Sequence, residues 1–192
     1  MPRLPDLAPE QMTAEQRRVH DMIVAGPRGR VQGPLAVWLR RPELAARAQA
    51  LGEYCRYNSS LPKRFSELAI LVTARHWQAE FEWYAHRRHA LEAGLPEHVI
   101  EAIRVGAAPS FTYIEEQAVY DIATAMDRDR RLGDALYARG LEVLGEGRLI
   151  DLIGVLGYYA LISMTINAFE VMPPDGTPLA FDGGAEVNRH PE

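Results

Sequence analysis

Sulfur chemistry, secretion and membrane insertion have little support in this sequence. Its 192 residues contain one cysteine, Cys55, so no internal disulfide can form and no thiol pair is available for a disulfide relay. No apolar run reaches the roughly 18 residues that a membrane span needs. The first 20 residues also lack the apolar core of a secretory signal. From these absences we expect a reduced protein of the cytoplasm.

The sequence also lacks an excess of positive charge. It has 21 lysine and arginine residues against 26 aspartate and glutamate residues, which gives a formal net charge of −5. The basic residues are scattered or stand beside acidic ones rather than forming a stripe. Neither nucleic acid nor an anionic membrane is therefore expected as a partner.

Several motifs of well-known enzyme classes are absent. The sequence contains no P-loop, no glycine-rich dinucleotide fingerprint and no G-x-S-x-G elbow. Cys55 stands between Tyr54 and Arg56 with no obvious histidine partner. A small buried thiol is therefore a better interpretation of Cys55 than a catalytic nucleophile.

Helical periodicity is the main pattern that is present. Ala, Leu, Glu and Arg recur at helical spacing, and no long segment alternates apolar and polar residues in the manner of a strand. We therefore predict an all-α protein. Thr13 and Gln16 form a capping-box pattern, and three glycines and two prolines within residues 26–34 predict a loop. Helices are predicted at about 13–25, 42–57 and 63–75, then, after a break at 76–78, up to Gly94, from Pro96 to Gly106, and within 112–129, 132–145 and 147–171.

The chain divides into three predicted parts. Residues 1–40 form an N-terminal helical arm and loop, residues 41–172 form the helical domain, and residues 173–192 form a tail. The tail is rich in proline, glycine and acidic residues, so we expect it to be extended or disordered unless it docks on a neighbour. The long last helix is apolar apart from Asp151, so we expect it to be buried and to be covered partly by another subunit.

The segment AEFEWYAHRRH, residues 79–89, carries the first candidate for chemistry. Glu82 and His86 are four residues apart, which places them on one face of a helix about one turn from each other. Apolar neighbours raise the pKa of a carboxyl group, and a nearby cation lowers it, so such a pair can exchange a proton near neutral pH. The alternative is a structural or solvated ion pair.

Glu67 is the second candidate, because it stands in an otherwise strongly apolar helix. It could instead lie on a polar seam beside Lys63 and Arg64. A metal site using Glu82, His86 and a third acid is weakly supported, because no second histidine stands four residues from His86. In the last helix several polar side chains interrupt the apolar run, and among them Asn167 is the candidate for lining a pocket.

These residues together resemble a known family. Four segments of the chain are similar to the carboxymuconolactone decarboxylase superfamily, which also holds the alkylhydroperoxidase D proteins. They are the central ELAILVTARHWQAEFEWYAH, the preceding GPLAVWLRRPELAARAQALGEYCRY, the following ALEAGLPEHVIEAI and the closing LIGVLGYYALISMTINAFEV. The resemblance implies an all-α, AhpD-like helical bundle with its site between helices. It also implies assembly as a homotrimer or homohexamer, and no organic cofactor.

The resemblance also shows where this chain departs from the peroxidase branch. That branch has a glutamate, a C-x-x-C pair and a histidine. Counting from Glu67, the two cysteine positions fall on Ala79 and Glu82, and the histidine position falls on His86. Because both thiols are missing, peroxide reduction through a C-x-x-C disulfide is not expected. An acid/base set of Glu67, Glu82 and His86 remains.

We therefore expect a cofactor-free acid/base enzyme, a lyase similar to carboxymuconolactone decarboxylases. Its substrate would be a small lactone, carboxylic acid or carbonyl compound that reacts through an enolate-type intermediate. His86 would polarise or protonate the substrate, while Glu67 and Glu82 would orient it and shuttle the proton. Trp38, Arg56, Tyr84 and Asn167 are the predicted substrate-binding residues, and no metal is expected.

Two alternatives remain open. The chain could be a non-catalytic oligomeric binding or scaffold protein that retains the fold. It could also be a metal-dependent lyase, which would lose activity or stability when a chelator is added.

Overall fold

The structure is a computed structural model and describes residues 3–181. Within this range the chain is helical and has no strand, which confirms the predicted all-α class. A short 3₁₀ turn, Pro9–Gln11, precedes the first helix, and a π-helical turn, Tyr54–Asn58, follows the third. The helices are α1 Ala14–Ala25, α2 Pro34–Trp38, α3 Pro42–Glu53, α4 Lys63–Trp77, α5 Glu80–Glu92, α6 Glu97–Val105, α7 Ile114–Asp129, α8 Asp134–Leu144 and α9 Glu146–Phe169.

The predicted signals for helix ends are found in the structure. Gln16 N–H donates to Thr13 Oγ1 at 3.2 Å, and Thr13 N–H donates to Gln16 Oε1 at 2.9 Å, so the capping box of α1 forms. Gly94 and Gly106 have φ angles of 86° and 76°. Both lie in the left-handed region that glycine adopts most easily, and each ends the helix before it.

Helix α2 was not predicted from the sequence. It is a single short helix, with Pro34 at its first position and Gly33 before it at a φ angle of 60°. Leu35 and Trp38 are buried, so tertiary packing stabilises a segment that is too short to show a helical period. The predicted helix 42–57 also ends earlier, at Glu53, before the π-helical turn.

Helix α4 lies at the centre of the bundle and packs against α5, α7 and α9. Leu68, Ile70 and Leu71 are almost completely buried, although these three positions cannot share one helix face. A helix that is apolar on several sides requires cover on several sides, and the neighbouring helices provide it. This central position makes polar groups on α4 internal groups of the protein.

Helix α9 is long and apolar enough to cross a membrane, a property that the sequence analysis did not anticipate. However, 56% of its most apolar window is buried inside the protein. Asp151 is buried and accepts hydrogen bonds from Tyr54 Oη at 2.7 Å, and from Ser60 N and Oγ at 2.6 Å each. Its packing and its bonded acid identify α9 as a core helix.

The described part of the tail docks on the chain itself. The backbone N–H groups of Ala180 and Phe181 donate to the Glu80 carboxylate at 2.7 and 2.9 Å. The Phe181 ring lies edge-on to Trp83, with 5.2 Å between centroids. The remainder of the predicted tail, 182–192, lies outside the described residues, and the three-part division of the chain stays a prediction.

Candidate active site

The turn between α4 and α5 determines how the site forms. Helix α4 ends at Trp77, and Gln78 adopts a left-handed conformation with φ 50°. Ala79 N–H then donates to Ala74 O at 2.9 Å, which closes the helix end in a Schellman-type arrangement. The chain reverses within these few residues, so α5 packs back along α4. Glu67 on α4 is thereby brought to the face of α5 that carries Glu82 and His86.

The three predicted catalytic residues form one buried cluster. His86 Nδ1 lies 2.6 Å from Glu67 Oε2, and His86 Nε2 lies 2.9 Å from Glu82 Oε1. The exposed fractions are 1% for Glu67, 4% for Glu82 and 3% for His86. The ring of Tyr159 stands edge-on to His86 at 5.1 Å between centroids. Both ring nitrogens of His86 therefore have a carboxylate partner inside the protein.

The charge of this cluster follows from its contacts. Burial alone lowers the pKa of His86, but the two carboxylates outweigh burial and raise its pKa to about 9. Burial raises the pKa of Glu67, but its contact with His86 outweighs that effect and its pKa is lowered. At neutral pH the cluster is thus an imidazolium held between carboxylates.

A cavity of about 530 Å³ opens beside this cluster. Glu82 and His86 line it, whereas Glu67 does not. Glu67 therefore lies behind His86 and reaches the cavity only through the imidazole. Tyr159 forms another part of the wall, and burial raises its pKa well above 10, so its phenol stays protonated.

Four arginines also line the cavity: Arg28, Arg30, Arg56 and Arg88. Arg88 lies 3.4 Å from the carboxylate of Glu92. In the described part of the chain, the other three have no carboxylate within ion-pair distance. Among residues 3–181, Glu82 is the only acidic residue of the wall. The cavity therefore presents more positive than negative charge and suits an anionic compound.

The position of the Arg28 guanidinium requires a residue without a side chain at position 52, which is Gly52. A Cβ at position 52 would lie 2.2 Å from Tyr158 Oη and 2.5 Å from Arg28 Nη2. Arg28 Nη2 donates to Tyr158 Oη at 3.2 Å, so glycine at position 52 permits this pair to pack against α3. The buried Nε of Arg28 has no hydrogen-bond partner among the described residues.

The structure brings two of the four predicted substrate-binding residues to the cavity and places two elsewhere. Arg56 and Tyr84 line it. Trp38 instead donates from Nε1 to Thr165 Oγ1 at 3.1 Å within the core. Asn167 donates from Nδ2 to Trp77 O at 2.6 Å, which ties the end of α9 to the end of α4. These two polar side chains have structural partners and do not line the cavity.

Sequence reasoning missed three of the four arginines and Tyr159. Arg28 and Arg30 stand in the loop between α1 and α2, which was interpreted only as a break in regular structure. Two arginines among glycines and prolines are a weak signal for anion binding, because exposed loops commonly carry charge. Tyr159 is one of the polar side chains that interrupt the apolar last helix, and the sequence favoured the core rather than the cavity for it. Arg88 carried no local signal, since its relevance depends on which helices pack together.

No arrangement in the described range suggests a resident metal. Residues 3–181 contain no group of three or more His, Cys, Asp or Glu side chains in a metal-binding arrangement. A metal ion at His86 would have to replace one of the two hydrogen bonds that hold the ring.

Comparisons with known proteins agree with this geometry. The model of the carboxymuconolactone decarboxylase family matches residues 42–125, a segment that contains Glu67, Glu82 and His86. One similar solved structure is described as an alkylhydroperoxidase AhpD core, an uncharacterized peroxidase-related protein from Ralstonia eutropha JMP134. It superposes with a TM-score of 0.74 over 91% of this chain and 93% of that chain, at 15% sequence identity. No curated protein sequence matches this chain.

At 15% identity the solved structure shows the fold alone, and that fold is AhpD-like. The family model covers less than half of the chain, so the chain is similar to the carboxymuconolactone decarboxylase family over residues 42–125 and shares the fold of the solved structure. The sequence has a single cysteine and therefore no C-x-x-C pair.

Proposed function

We propose that the chain is a cofactor-free acid/base enzyme, a lyase of the carboxymuconolactone decarboxylase type. Its substrate would be a small carboxylated lactone or carbonyl compound that reacts through an enolate. The observation that carries this proposal is His86, held between Glu67 at 2.6 Å and Glu82 at 2.9 Å on the wall of an arginine-lined cavity. Enolate chemistry requires a proton donor and positive charge near the oxygen that becomes negative. His86 would supply the proton, and the arginines of the cavity would supply the positive charge.

The arginines support an anionic substrate. A carboxylate can form two parallel hydrogen bonds with one guanidinium, which fixes its orientation as well as its position. Burial lowers the pKa of Arg56, but nearby tyrosines and carboxylates outweigh burial, and the pKa of Arg56 is raised above its usual value. Arg56 therefore stays charged. Arg56 and Arg28 are the half-buried members of the set and are the best placed to hold a carboxylate away from bulk water.

In a decarboxylation, the bond between the substrate carbon and its carboxylate would break. The electron pair would move into the conjugated carbonyl group and form a dienolate, while carbon dioxide leaves. The arginines and the imidazolium of His86 would stabilise the negative charge that develops on the carbonyl oxygen. The dienolate carbon would then take the proton of His86 Nε2, directly or through Glu82, and solvent would return that proton to the pair.

The two glutamates would have different roles. Glu82 lines the cavity and accepts from His86 Nε2, so it can exchange a proton with a bound compound. Glu67 does not reach the cavity and acts on Nδ1, so it would be a positioning residue that fixes the ring and sustains its charge. This division assigns proton transfer to Glu82 and His86.

The experiment follows the ultraviolet absorbance of enzymatically prepared γ-carboxymuconolactone after addition of the purified full chain. Wild type should consume the compound, and His86→Gln should reduce kcat/KM by about 10²-fold to 10⁴-fold. His98→Gln is the matched control, because His98 is exposed and outside the cavity. Activity in the presence of a chelator should be unchanged, whereas its loss would favour the metal-dependent alternative.

Thermal unfolding of each variant separates loss of catalysis from loss of fold. Equal activity of wild type and His86→Gln would contradict the proposed role of His86. Saturable binding of the lactone without any turnover would instead support the binding-protein alternative, because the arginines would then serve affinity alone.

We also propose that the chain self-associates, as a homotrimer or homohexamer, in the cytoplasm. One face of α9 supports this, because Ile150, Gly154, Gly157, Leu161 and Met164 all lie on it and all are exposed. An uninterrupted apolar face of this length is uncommon on an isolated chain and is typical of an interface. Sedimentation of wild type and Leu161→Lys would test it, since the substitution should shift the protein toward monomer.

A further inference from the structure

A second histidine lines the arginine-lined cavity, three residues after His86 on α5. The side chain of His89 is 22% exposed, and its ring lies edge-on to the ring of His86 with 5.8 Å between centroids. The proposed decarboxylation uses the proton of His86 and gives His89 no part. An imidazole on the wall of an active-site cavity can exchange protons near neutral pH, so its role needs an account.

One ring nitrogen of His89 has a partner on its own helix. Nδ1 lies 3.1 Å from Glu92 Oε2, and the other oxygen of that carboxylate lies 3.4 Å from Arg88 Nε. The hydrogen bond with His89 and the charge of Arg88 lower the pKa of Glu92, so its carboxylate is charged at neutral pH and only accepts hydrogen bonds. In the neutral ring, Nδ1 therefore carries the hydrogen and donates it to Glu92, and the free lone pair is on Nε2.

The other ring nitrogen of His89 is accessible and has no partner in the protein. Among residues 3–181, Nε2 forms no hydrogen bond and no ion pair. It is also not one of the buried polar atoms that lack a partner, so it is open to solvent. Because His89 lines the cavity and Glu92 holds its Nδ1, Nε2 is the atom of this ring that a bound compound can contact.

The charged groups around His89 keep its ring neutral at pH 7. Burial has the largest effect and lowers the pKa of His89, and the positive charges of Arg56 and His86 act in the same direction. The hydrogen bond with Glu92 and the charge of Glu67 oppose them without reversing the result. His86, by contrast, has a pKa of about 9. One wall of the cavity thus carries a protonated imidazole and an unprotonated one, an acid beside a base.

The distance between the two rings suits one particular proton transfer. Removal of a proton from a carbon beside a carbonyl group requires a base at that carbon and an acid at the carbonyl oxygen. These two substrate atoms are close together, and each catalytic group must come within about 3 Å of its own atom. Rings with centroids 5.8 Å apart can reach both atoms from one wall, while the arginines hold a carboxylate of the same compound.

We infer that His89 is a catalytic base and gives this cavity a second activity, which is proton exchange at the carbon beside the carbonyl group of a carboxylated compound. Nε2 of His89 removes a proton from that carbon, and the electron pair of the C–H bond forms the C=C bond of an enol. The carbonyl oxygen takes the proton of His86 Nε2. In the reverse steps the enol returns its proton to His86, and His89 delivers a solvent-exchanged proton to carbon, so no other reactant is consumed.

This inference rests on the proposed function for the proton of His86, but the two reactions break different bonds. Decarboxylation breaks a C–C bond and needs no base, whereas exchange breaks a C–H bond and requires one. Assays of the two reactions therefore fail independently. Exchange without consumption of γ-carboxymuconolactone would support the role of His89 and refute the decarboxylation. Consumption of the lactone without exchange would do the opposite.

Proton NMR of 4-oxopentanoate in deuterium oxide measures the exchange. This compound has a carboxylate and has hydrogens on both carbons beside its ketone. With the purified full chain these signals should decay faster than in buffer, and His89→Gln should lower the protein-dependent rate by at least about 10²-fold. His98→Gln changes an exposed histidine outside the cavity and should leave the rate unchanged. No exchange above the buffer rate, or equal exchange by wild type and His89→Gln, would overturn the inference.

The pH dependence of the exchange rate identifies the base. In wild type the rate should rise as His89 loses its proton below pH 6.5 and fall as His86 loses its own near pH 9. Glu92 is exposed, so Glu92→Ala should fold. Because Glu92 raises the pKa of His89, this variant should shift the rising limb to lower pH. A rising limb that Glu92→Ala does not move would show that another group is the base.

Discussion

The two cavities of this protein differ in how their charged groups are partnered. In the first, both ring nitrogens of His86 are bonded to carboxylates of the chain itself. In the second, a cavity of about 310 Å³ that Asp127 helps to line, burial raises the pKa of Asp127, and the charge of His76 and a hydrogen bond from the Thr73 hydroxyl oppose that effect only in part. A carboxylate bonded to an imidazolium is stabilised in its charged form, whereas burial without a bonded cation disfavours the charged form. The difference separates a carboxylate that the fold keeps charged from one whose charge the fold disfavours.

The first cavity itself contains a similar contrast on one helix. His86 and His89 lie three residues apart on α5, and both line the cavity. Two carboxylates outweigh burial at His86 and raise its pKa to about 9. At His89 burial lowers the pKa, and its contact with Glu92 does not reverse that effect. The number of carboxylates facing each ring, rather than its position on the helix, decides which histidine is charged at neutral pH.

The largest expected change in the free energy of unfolding comes from removing the Glu67 carboxylate from its hydrogen-bonded cluster with His86 and Glu82. Glu67→Ala leaves a buried imidazolium with one carboxylate, and removal of one partner of a buried ion pair costs about 3–5 kcal/mol of unfolding free energy. Urea denaturation at pH 7 measures this. Glu43→Ala is the control, because Glu43 is exposed and pairs only with Arg47 on the surface, and it should change stability by less than about 1 kcal/mol. Similar losses in the two variants would show that the Glu67 network contributes no special stability.

The second prediction concerns pH. The pKa of His86 is raised from 6.5 to about 9 on folding, so its contribution to stability is complete below pH 6.5 and is lost as pH rises through about 9. The loss should be roughly 3 kcal/mol. Denaturation curves collected from pH 6 to pH 10 should show this decline in wild type.

His86→Gln provides the comparison for that decline, because glutamine does not titrate in this range. The decline between pH 6.5 and 9 should be absent or much smaller in the variant. On the acid side, the lowered pKa of Glu67 adds stability that is present above pH 4.5 and is lost as pH falls below it. An identical alkaline decline in both proteins would assign it to other groups.

A smaller effect is expected from Gly52→Ala, which disturbs the cationic wall without touching the His86 network. The new Cβ would collide with Tyr158 Oη and Arg28 Nη2, and such overpacking costs about 1–3 kcal/mol. Displacement of Arg28 should weaken binding of a carboxylated substrate, seen as a higher KM. Gly133→Ala is the control, because Gly133 is exposed, lies outside the proposed α9 interface and has nothing within 4 Å of its Cβ position. A normal KM in Gly52→Ala would exclude Arg28 from substrate binding.

The smallest expected effect comes from Asp127→Asn in the second cavity. Burial raises the pKa of Asp127, so its charged form disfavours folding. Removal of the charge should leave the melting temperature at pH 7 unchanged or slightly higher, in contrast to Glu67→Ala. The difference from wild type should vanish below the pKa of an unfolded aspartate, 3.8. A clear destabilisation at pH 7 would mean that the Thr73 hydroxyl and the His76 charge outweigh burial at Asp127, and the contrast between the two cavities would fail.

Much of the fold was predictable because its helices are bounded by strong local signals. The Thr13 capping box, the breaks at Gly94 and Gly106, and the turn near Gln78 all act within a few residues. Helix α2 was missed because its five residues show no period and are stabilised by burial of Leu35 and Trp38. The shortened helix α3 reflects the π-helical turn, whose residues have ordinary helical propensity.

The candidate site was predictable in part. Helical spacing placed Glu82 and His86 together, the apolar surroundings of Glu67 made it a candidate, and the family resemblance joined the three into one set. Asn167 was expected at the cavity because a polar side chain in an apolar helix suggests a pocket, and Trp38 was expected there as a wall residue of the site that the resemblance implied. They lie elsewhere because Thr165 and the Trp77 carbonyl satisfy them inside the fold. Which polar side chain finds an internal partner is a property of the packed protein and not of its local sequence.

The sequence by itself determined the helical class, the missing redox thiols, and the one-turn pairing of an acid with an imidazole, because each is a matter of composition or of spacing along a single helix. Only the tertiary structure decided the rest. The reversal at Gln78 brought Glu67 onto His86, and the packing of a glycine-rich loop beside α5 turned scattered arginines into one cationic wall. Charge and pKa depend on distances of a few ångström between residues that are far apart in the chain. Those distances exist only after the helices have packed.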